Sequence, residues 1–418
     1  MGDVVRFNPA GGPGGRRSSR PRPSRSALVL GGGGFTGGVY EIGALRAIDL
    51  LSVNSTVNEF DVYVGTSAGS FVAALTANGV TPEELMRSVN RQAPAPFRDV
   101  DVGTLLRPNV GEWLRKGVVA PLRLANVVRD LAGQLGRGVS AMDLALGLAE
   151  GLPSGFYTGA GLEAHLREVL SEPGRSDDFR DLARELYLAA TDLDTCERVI
   201  FGGDGWRDVP ISTAVRASTA LPMLFEPVRV DGHELVDGGL VSTTNLDIAV
   251  ERGATFVVVI NPLVPYVNDF RSSVSTLRGR RRRHVSDMGF AQIGYQAFKL
   301  MAHRRLHETA RLWEERYPGV DIILIEPELD DELMFQTSIM NFTSRTQIAR
   351  HGFRSVTLKL AEDYERHAEV CARHGIEISA TRVRKVVEHF ATERESTSAW
   401  RDILERGTGA LLRESSAD

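Results

Sequence analysis

Five short apolar runs alternate with helical patterns along this chain, and they constrain its fold more than any other feature. The runs are SALVL, FDVYV, ELYLAATDLD, TFVVVINP and VDIILIEPE. Short runs that stay apolar on successive residues are typical of strands buried on both faces, as in a parallel sheet covered by helices. We therefore predict an α/β fold: a three-layer α/β/α sandwich with a mostly parallel central sheet and added C-terminal helices.

The segments between and beyond these runs indicate how the chain is organised. Residues 1–26 are rich in Gly, Pro, Ser and Arg, which predicts a disordered basic tail. A catalytic domain is predicted over 27–345. Within it, the apolar, Gly- and Pro-punctuated segment 94–158 is typical either of a lipid-facing lid or of an extra packed helical layer, and 263–285 is an arginine-rich loop. An amphipathic helical extension is expected over 346–418.

Composition excludes several classes of protein. The formal net charge of −5 gives no overall basis for binding nucleic acid. No apolar run approaches the ~20 residues that span a bilayer, and the N-terminal segment lacks the apolar core of a secretory signal. Cys196 and Cys371 are far apart and lack metal-ligand spacing, which suits free thiols in a reducing compartment. These features predict a cytoplasmic protein, while the oligomeric state stays open.

The run RGRRRRH is a local exception to the acidic balance, because it places five arginines between Arg278 and Arg283. Basic residues near an anionic membrane surface each contribute about 1 kcal/mol of attraction. The run is thus typical either of a solvated loop or of a peripheral contact with anionic lipid. No aromatic residues interleave the arginines, which argues against a single-stranded nucleic-acid site.

The sequence GGGGFTGG follows the SALVL run and precedes a helix expected over Val39–Leu51. Glycine clusters between a strand and a helix bind negative groups, either the phosphates of a dinucleotide or the oxyanion of a reacting ester. A dinucleotide fold places an acidic residue at the end of its second strand to bind the ribose. Here Asp61 lies at the beginning of that strand, which favours the oxyanion interpretation.

The sequence GTSAG fits the G-x-S-x-G pattern of a nucleophile elbow. It lies between a strand predicted over Phe60–Val64 and a helix predicted to end at Gly79. Small residues around the serine allow a tight turn that projects its hydroxyl from the carboxyl end of the sheet. Ser67 is therefore the candidate nucleophile.

Asp237, in LVDGGL, is the candidate general base for this serine. Two glycines follow it, so it is equally typical of a cleft carboxylate and of a β-turn aspartate. His233 lies in DGHEL, which is typical of a hairpin turn, and the other histidines fall mostly in helical or charged segments. Asp192 and Asp194 follow a strand and are assigned to turn capping.

The order of these motifs resembles that of the patatin-like phospholipase family. Three further segments are similar to the family: GFYTGAGLEAHLREVL, LYLAATDLDTCERVIFG and AVRASTALPMLFEPVRVDGHELVDGGL. The resemblance extends from about Ala27 to Pro262. It implies the patatin-like α/β/α sandwich and a Ser-Asp dyad, with Ser67 as nucleophile and Asp237 as general base. It also implies hydrolysis of acyl esters in lipids, as by a phospholipase A or a lysophospholipase.

Two positions depart from the family pattern. Thr36 stands where the family often has Arg or Lys, and Asn245 stands near a common proline. In the mechanism that the sequence suggests, the amides of Gly32, Gly33 and Gly34 bind the oxyanion, and no cofactor or metal is needed.

Two alternatives to a lipid hydrolase remain open. One is an acyltransferase or thioesterase that uses the same dyad, since other acceptors can take the acyl group from an acyl-enzyme. The other is a non-catalytic nucleotide-binding protein in which Ser67 is incidental.

Overall fold

The computed structural model of the protein describes residues 24–92, 106–112, 153–267, 284–288, 290–329 and 342–390, with short pieces at 4–5, 103, 114–115, 274–276, 279–281, 331 and 333–334. Its strands, in chain order, are β1 (Val4–Val5), β2 (Ser26–Leu30), β3 (Val62–Thr66), β4 (Gly155–Tyr157), β5 (Glu185–Asp192), β6 (Arg198–Phe201), β7 (Met223–Phe225), β8 (Val228–Val230), β9 (His233–Asp237), β10 (Phe256–Ile260), β11 (Val274–Thr276), β12 (Gly279–Arg281) and β13 (Asp321–Ile325).

The helices of the same residues include α1 (Gly34–Leu51), α2 (Ala68–Ala77), α3 (Pro82–Val89), α4 (Ala160–Leu170), α5 (Ile211–Ser218), α6 (Leu246–Glu251), α7 (Phe290–Ala310), α8 (Trp313–Arg316), α9 (Arg345–Glu362) and α10 (Tyr364–Arg373). Residues 380–390 are also helical. None of these helices combines the length and the apolar character that crossing a bilayer requires.

One sheet organises the fold, in the strand order β1-β13-β10-β2-β3-β5-β9-β8, with β6 paired to β5. Strands β13, β10, β2, β3 and β5 run parallel to one another. Strands β1, β6, β8 and β9 pair antiparallel at the two sides. The predicted mostly parallel sheet is therefore confirmed.

Helices cover both faces of this sheet, as the continuous apolar runs predict. In β2, Leu28 and Leu30 belong to one hydrophobic core, while Ala27 and Val29 belong to the other. The first core includes residues of α1, α2, α3, α5 and α9, and the second includes residues of α6, α7 and α8. The fold is thus the predicted three-layer α/β/α sandwich.

The C-terminal helices are part of the first layer. Ile348 and Val356 of α9 are fully buried in the same core as α1. The two helices approach closely through glycine, because a Cβ atom at Gly43 would lie 1.9 Å from the carbonyl oxygen of Ala349. Helix α9 therefore fixes the position of α1, which begins in the glycine-rich loop.

The disordered tail predicted over 1–26 stays a prediction, although short pieces at its two ends are described. Val4 and Val5 pair antiparallel with Ile323 and Ile322 of β13, because the edge of the sheet offers unpaired backbone groups to an apolar dipeptide. Strand β2 already begins at Ser26. The stretch 6–23 lies outside the described residues.

Two other predicted segments fall largely outside the described residues. In 94–158, most of the segment is not described, so the choice between a lid and a packed layer stays a prediction. Its last residues form β4, which pairs in parallel with β7. In 263–285, β11 and β12 form an antiparallel hairpin, and Arg278, Arg282 and Arg283 lie outside the described part, so the lipid contact also stays a prediction.

Candidate active site

Ser67 lies in a strained turn between β3 and α2. Its backbone has φ 54° and ψ −127°, a conformation that residues with a side chain rarely adopt. The flanking glycines leave no room for a Cβ atom: one at Gly65 would lie 2.6 Å from Cα of Ser70, and one at Gly69 would lie 2.4 Å from the carbonyl oxygen of Leu30. The turn thus has the geometry of a nucleophile elbow.

Asp237 ends β9 and contacts the serine directly. The Oγ of Ser67 donates to Oδ2 of Asp237 across 2.5 Å. Strand β5 sets this distance, because Thr66 pairs with Ala189 and Asp237 pairs with the next residue, Ala190. The sheet therefore brings together two side chains that are 170 positions apart in the chain.

Burial makes Asp237 a stronger base than an ordinary aspartate. The residue is 3% exposed, and desolvation raises its pKa to about 6, although hydrogen bonds from Ser67 and from the N–H of Gly239 favour the ionised form. The Gly239 N–H donates to Oδ1 across 2.8 Å, which leaves Oδ2 for Ser67. The tight DGG sequence is needed here, since a Cβ atom at Gly238 would lie 2.3 Å from the carbonyl oxygen of Ala189.

The glycine-rich loop lies against the serine, but its amides are not equivalent. A Cβ atom at Gly32 would lie 3.3 Å from Cβ of Ser67, so the loop faces the elbow. The Gly32 N–H already donates to the carbonyl oxygen of Thr243 across 3.0 Å, which disagrees with its predicted role as an oxyanion donor. Gly33 precedes α1, and Gly34, with φ 63°, begins it. Within the described part of the chain, no hydrogen bond from the N–H of Gly33 or Gly34 is found, so these two groups stay the predicted oxyanion donors.

An apolar cavity opens onto the Ser67–Asp237 pair. Besides this pair and the three loop glycines, its walls include Phe35, Ile42, Phe71, Leu85, Val89 and Leu224. No histidine of the described residues lines it. The site can therefore place an apolar chain beside a serine whose only neighbouring base, within those residues, is a carboxylate.

Two polar residues hold the elbow in place: Ser218, which sequence reasoning missed, and Asn245, which it marked only as a departure from the family pattern. The Oγ of Ser218 accepts a hydrogen bond from the N–H of Ser67 across 2.9 Å and donates to the carbonyl oxygen of Ala189 across 2.6 Å. The Nδ2 of Asn245 donates to Oγ1 of Thr66 across 2.9 Å. Both side chains are fully buried, so the departure at Asn245 links the loop after Asp237 to the strand that carries the serine.

We expect Ser218→Ala to lower kcat by about tenfold with little change in KM. The substitution leaves the buried N–H of Ser67 without an acceptor, which costs about 1–3 kcal/mol and loosens the elbow. Steady-state kinetics on a fluorogenic ester would measure the effect. Ser218→Thr keeps the hydroxyl and is the matched control; equal kcat for Ser218→Ala and wild type would contradict this role.

The remaining candidate residues bond to groups other than the serine. His233 bonds through Nδ1 to Oδ2 of Asp192 across 2.6 Å. The Oδ1 of Asp192 accepts from the N–H groups of Asp194 and Thr195, which confirms turn capping by Asp192. Asp61 precedes β3 and accepts from the N–H of Ser26, so no carboxylate of β3 reaches the glycine loop.

This geometry defines a class of α/β proteins in which a serine in a strand–helix elbow faces a carboxylate at the carboxyl end of a parallel sheet. Within that class, the chain belongs to the patatin-like phospholipase family, whose family model matches residues 28–250. The matched range contains the glycine loop, Ser67 and Asp237.

The matches to related proteins cover only part of the length of those proteins. The probable lipid hydrolase 463L of Invertebrate iridescent virus 6 is 22% identical over 224 residues, which are 54% of this chain and 63% of the viral protein. Patatin-like phospholipase domain-containing protein 6 of Homo sapiens is 29% identical over 236 residues, 56% of this chain and 13% of the human protein. The chain thus covers less than two thirds of either relative. Among solved structures, VipD from Legionella pneumophila matches with 15% identity and a TM-score of 0.39, over 82% of this chain and 67% of VipD.

Proposed function

We propose that the protein hydrolyses carboxylic ester bonds of lipids, with Ser67 as nucleophile and Asp237 as general base. The observation that carries this proposal is the 2.5 Å hydrogen bond from Ser67 Oγ to Asp237 Oδ2 at the wall of an apolar cavity. Membership in the patatin-like phospholipase family supports it. Lipid or phospholipid is the proposed substrate class.

In the first half-reaction, Ser67 Oγ attacks the ester carbonyl carbon and transfers its proton to Asp237. A pKa of about 6 leaves Asp237 ionised at pH 7 and more basic than an ordinary aspartate. The carbonyl oxygen becomes an oxyanion that the N–H groups of Gly33 and Gly34 stabilise, each worth roughly 3–4 kcal/mol of barrier. The protonated Asp237 then gives its proton to the leaving alcohol, and an acyl-enzyme remains on Ser67.

In the second half-reaction, water attacks the acyl-enzyme and Asp237 accepts the proton of that water. The tetrahedral intermediate collapses, the fatty acid leaves, and Ser67 recovers its proton. One carboxylate serves both steps because Oδ2 points at the reacting oxygen while Oδ1 is held by the N–H of Gly239.

The cavity supports an acyl chain as the group that is bound. Helices α1, α2 and α3 supply apolar side chains to its wall, including Val39, Val72 and Val89. Apolar walls with a few convergent polar groups are typical of sites for apolar ligands. A nucleotide phosphate in the same loop would lie against Ser67 and the buried carboxylate of Asp237, which repels anions.

A fluorophosphonate probe tests the nucleophile. We expect the wild-type protein to be labelled and Ser67→Ala to lose labelling and ester hydrolysis completely, because no other hydroxyl contacts the carboxylate of Asp237 within the described residues. Ser171→Ala, which changes an exposed serine at the end of α4, is the matched control and should be labelled normally. Circular dichroism of the three proteins checks their folds.

Labelling, together with an NAD(P) binding assay, separates a serine enzyme from a nucleotide-binding protein. Persistent labelling of folded Ser67→Ala would remove Ser67 from the mechanism. Tight NAD(P) binding without labelling of the wild-type protein would favour the nucleotide-binding protein. A panel of phospholipids, lysophospholipids and acyl thioesters, assayed with and without a lipid alcohol as acceptor, separates hydrolysis from acyl transfer. We expect free fatty acid as the main product.

A further inference from the structure

Two histidines and a glutamate meet outside the candidate active site. His303 and His307 are one turn apart on α7, and their rings lie 4.1 Å apart between centroids. Glu326 directly follows β13, and its Oε2 lies 2.8 Å from Nε2 of His307. One ligand atom from each of the three side chains lies within 4.8 Å of the others. The cluster therefore has the size of a first coordination sphere.

The surroundings of Glu326 hold its carboxylate in place. Its side chain is buried, and Oε1 accepts a hydrogen bond from Nδ2 of Asn261 across 2.7 Å, so Oε2 is the atom turned towards the histidines. The ammonium group of Lys359 bonds to the backbone carbonyl of Glu326 rather than to its carboxylate. A carboxylate oriented by an amide is the arrangement that typically supports a metal ligand.

The chemistry of the three side chains indicates which class of metal ion they would bind. Imidazole nitrogens with one carboxylate are the ligands of zinc-type cations, whereas calcium and magnesium prefer oxygen alone. Two histidines separated by four positions project from the same face of a helix, which suits a single ion.

We propose that His303, His307 and Glu326 form a site for a divalent transition-metal ion of the zinc class, with the fourth position open to water. None of its three residues lines the cavity at Ser67 and Asp237, and the ester hydrolysis proposed above does not involve the site. It joins α7 to the end of β13. Because α7 also carries Tyr295 and Phe298, which line the apolar cavity, a bound ion holds one wall of that cavity against the sheet.

Calorimetric titration of the full-length, chelator-treated protein with Zn²⁺ tests the site. We expect one ion per chain, and a Kd that rises at least ~10-fold in His303→Ala and in His307→Ala, because each substitution removes a ligand. His389→Ala, which changes an exposed histidine, is the matched control and should bind as wild type does. Co²⁺ in place of Zn²⁺ should give the visible absorption of a tetrahedral site, and circular dichroism checks each fold.

Glu326→Gln separates the proposed site from a simple pair of helical histidines. Glutamine keeps the size of the side chain and an oxygen for Asn261 but removes the charge, so we expect Zn²⁺ binding to weaken at least ~10-fold. Unchanged affinity in folded Glu326→Gln, or wild-type binding no tighter than in His303→Ala, would overturn the proposal. Fluorophosphonate labelling of Ser67 does not require a bound ion. Absence of Zn²⁺ binding would therefore overturn the metal site without affecting the proposed hydrolase, and absence of labelling would do the reverse.

Discussion

Asp237→Asn is expected to lower kcat by about 10²–10⁴-fold, the usual contribution of a general base. Asparagine has the shape of aspartate, and its oxygen can accept from the N–H of Gly239 while its amide donates to Ser67 Oγ. It cannot accept the proton that Ser67 loses. The fold should therefore stay intact while turnover fails, as measured by ester hydrolysis and circular dichroism.

The same substitution should raise the free energy of unfolding at neutral pH. The pKa of Asp237 is about 6 in the folded protein against an ordinary value of 3.8, so the folded state binds the proton more tightly than the unfolded state does. Ionisation of Asp237 therefore destabilises the folded protein. This cost is absent below pH ~4, grows between the unfolded pKa and the folded pKa, and is complete above the folded pKa, where it is on the order of 3 kcal/mol. The substituted asparagine carries no charge and avoids this cost.

The pH dependence of both proteins provides the measurement. For wild type, we expect kcat/KM to rise about tenfold per pH unit below pH 6 and to level off above it, because the ionised carboxylate is the active form. In urea titrations at pH 5 and pH 8, the stability advantage of Asp237→Asn should be larger at pH 8. Near-normal hydrolysis by the folded variant, or an advantage that does not depend on pH, would contradict the assignment of a buried general base.

The sheet could be predicted from the sequence because its strands carry their own signal. SALVL, TFVVVINP and VDIILIEPE are apolar on successive residues, and both faces of β2, β10 and β13 are in fact buried. The boundaries were less accurate. Helix α1 begins at Gly34 rather than at Val39, because packing of Gly33 and Gly37 against Pro262 outweighs the low helix propensity of glycine.

Strand β3 shows the same kind of error at its end. It was predicted over Phe60–Val64 and runs over Val62–Thr66. Gly65 and Thr66 continue the strand because they pair with Leu188 and Ala189 of β5, and this partner is not visible in the local sequence. Tertiary pairing decided the boundary, as it often does for glycine in strands.

The candidate site was predictable only where a local motif marks it. Ser67 and Asp237 each lie in a glycine-flanked turn, and the structure brings them into contact. No local motif marks Ser218, and Asn245 stood out only as a departure from the family pattern. Their contacts with the elbow span 151 and 179 positions. The hydrogen bond from the Gly32 N–H to the carbonyl oxygen of Thr243 could not be predicted for the same reason. Long-range hydrogen bonds of single side chains leave no periodic pattern in a sequence.

Gly43→Ala is expected to destabilise the protein by about 3 kcal/mol, at the upper end of the usual cost of overpacking a core. The added Cβ atom would lie 1.9 Å from the carbonyl oxygen of Ala349 and 2.8 Å from the backbone nitrogen of Phe353, and neither backbone atom can move alone. A Cβ atom at Gly352 would meet the carbonyl oxygen of Tyr40 at 2.3 Å, so the contact between α1 and α9 depends on glycine from both sides. The substitution must push the two helices apart.

Gly294→Ala is the matched control for this prediction, because Gly294 also lies inside a helix, α7, but a Cβ atom there would meet no described atom within 4 Å outside its own stretch of helix. At this position the exchange should stabilise the protein by roughly 0.5–1 kcal/mol, the difference in helix propensity between glycine and alanine. Urea unfolding of both variants against wild type measures the two effects. Since α1 begins in the glycine loop, the folded fraction of Gly43→Ala should also hydrolyse esters more slowly, whereas Gly294→Ala should not. Equal stability of the two variants would show that α9 does not hold α1 through this crossing.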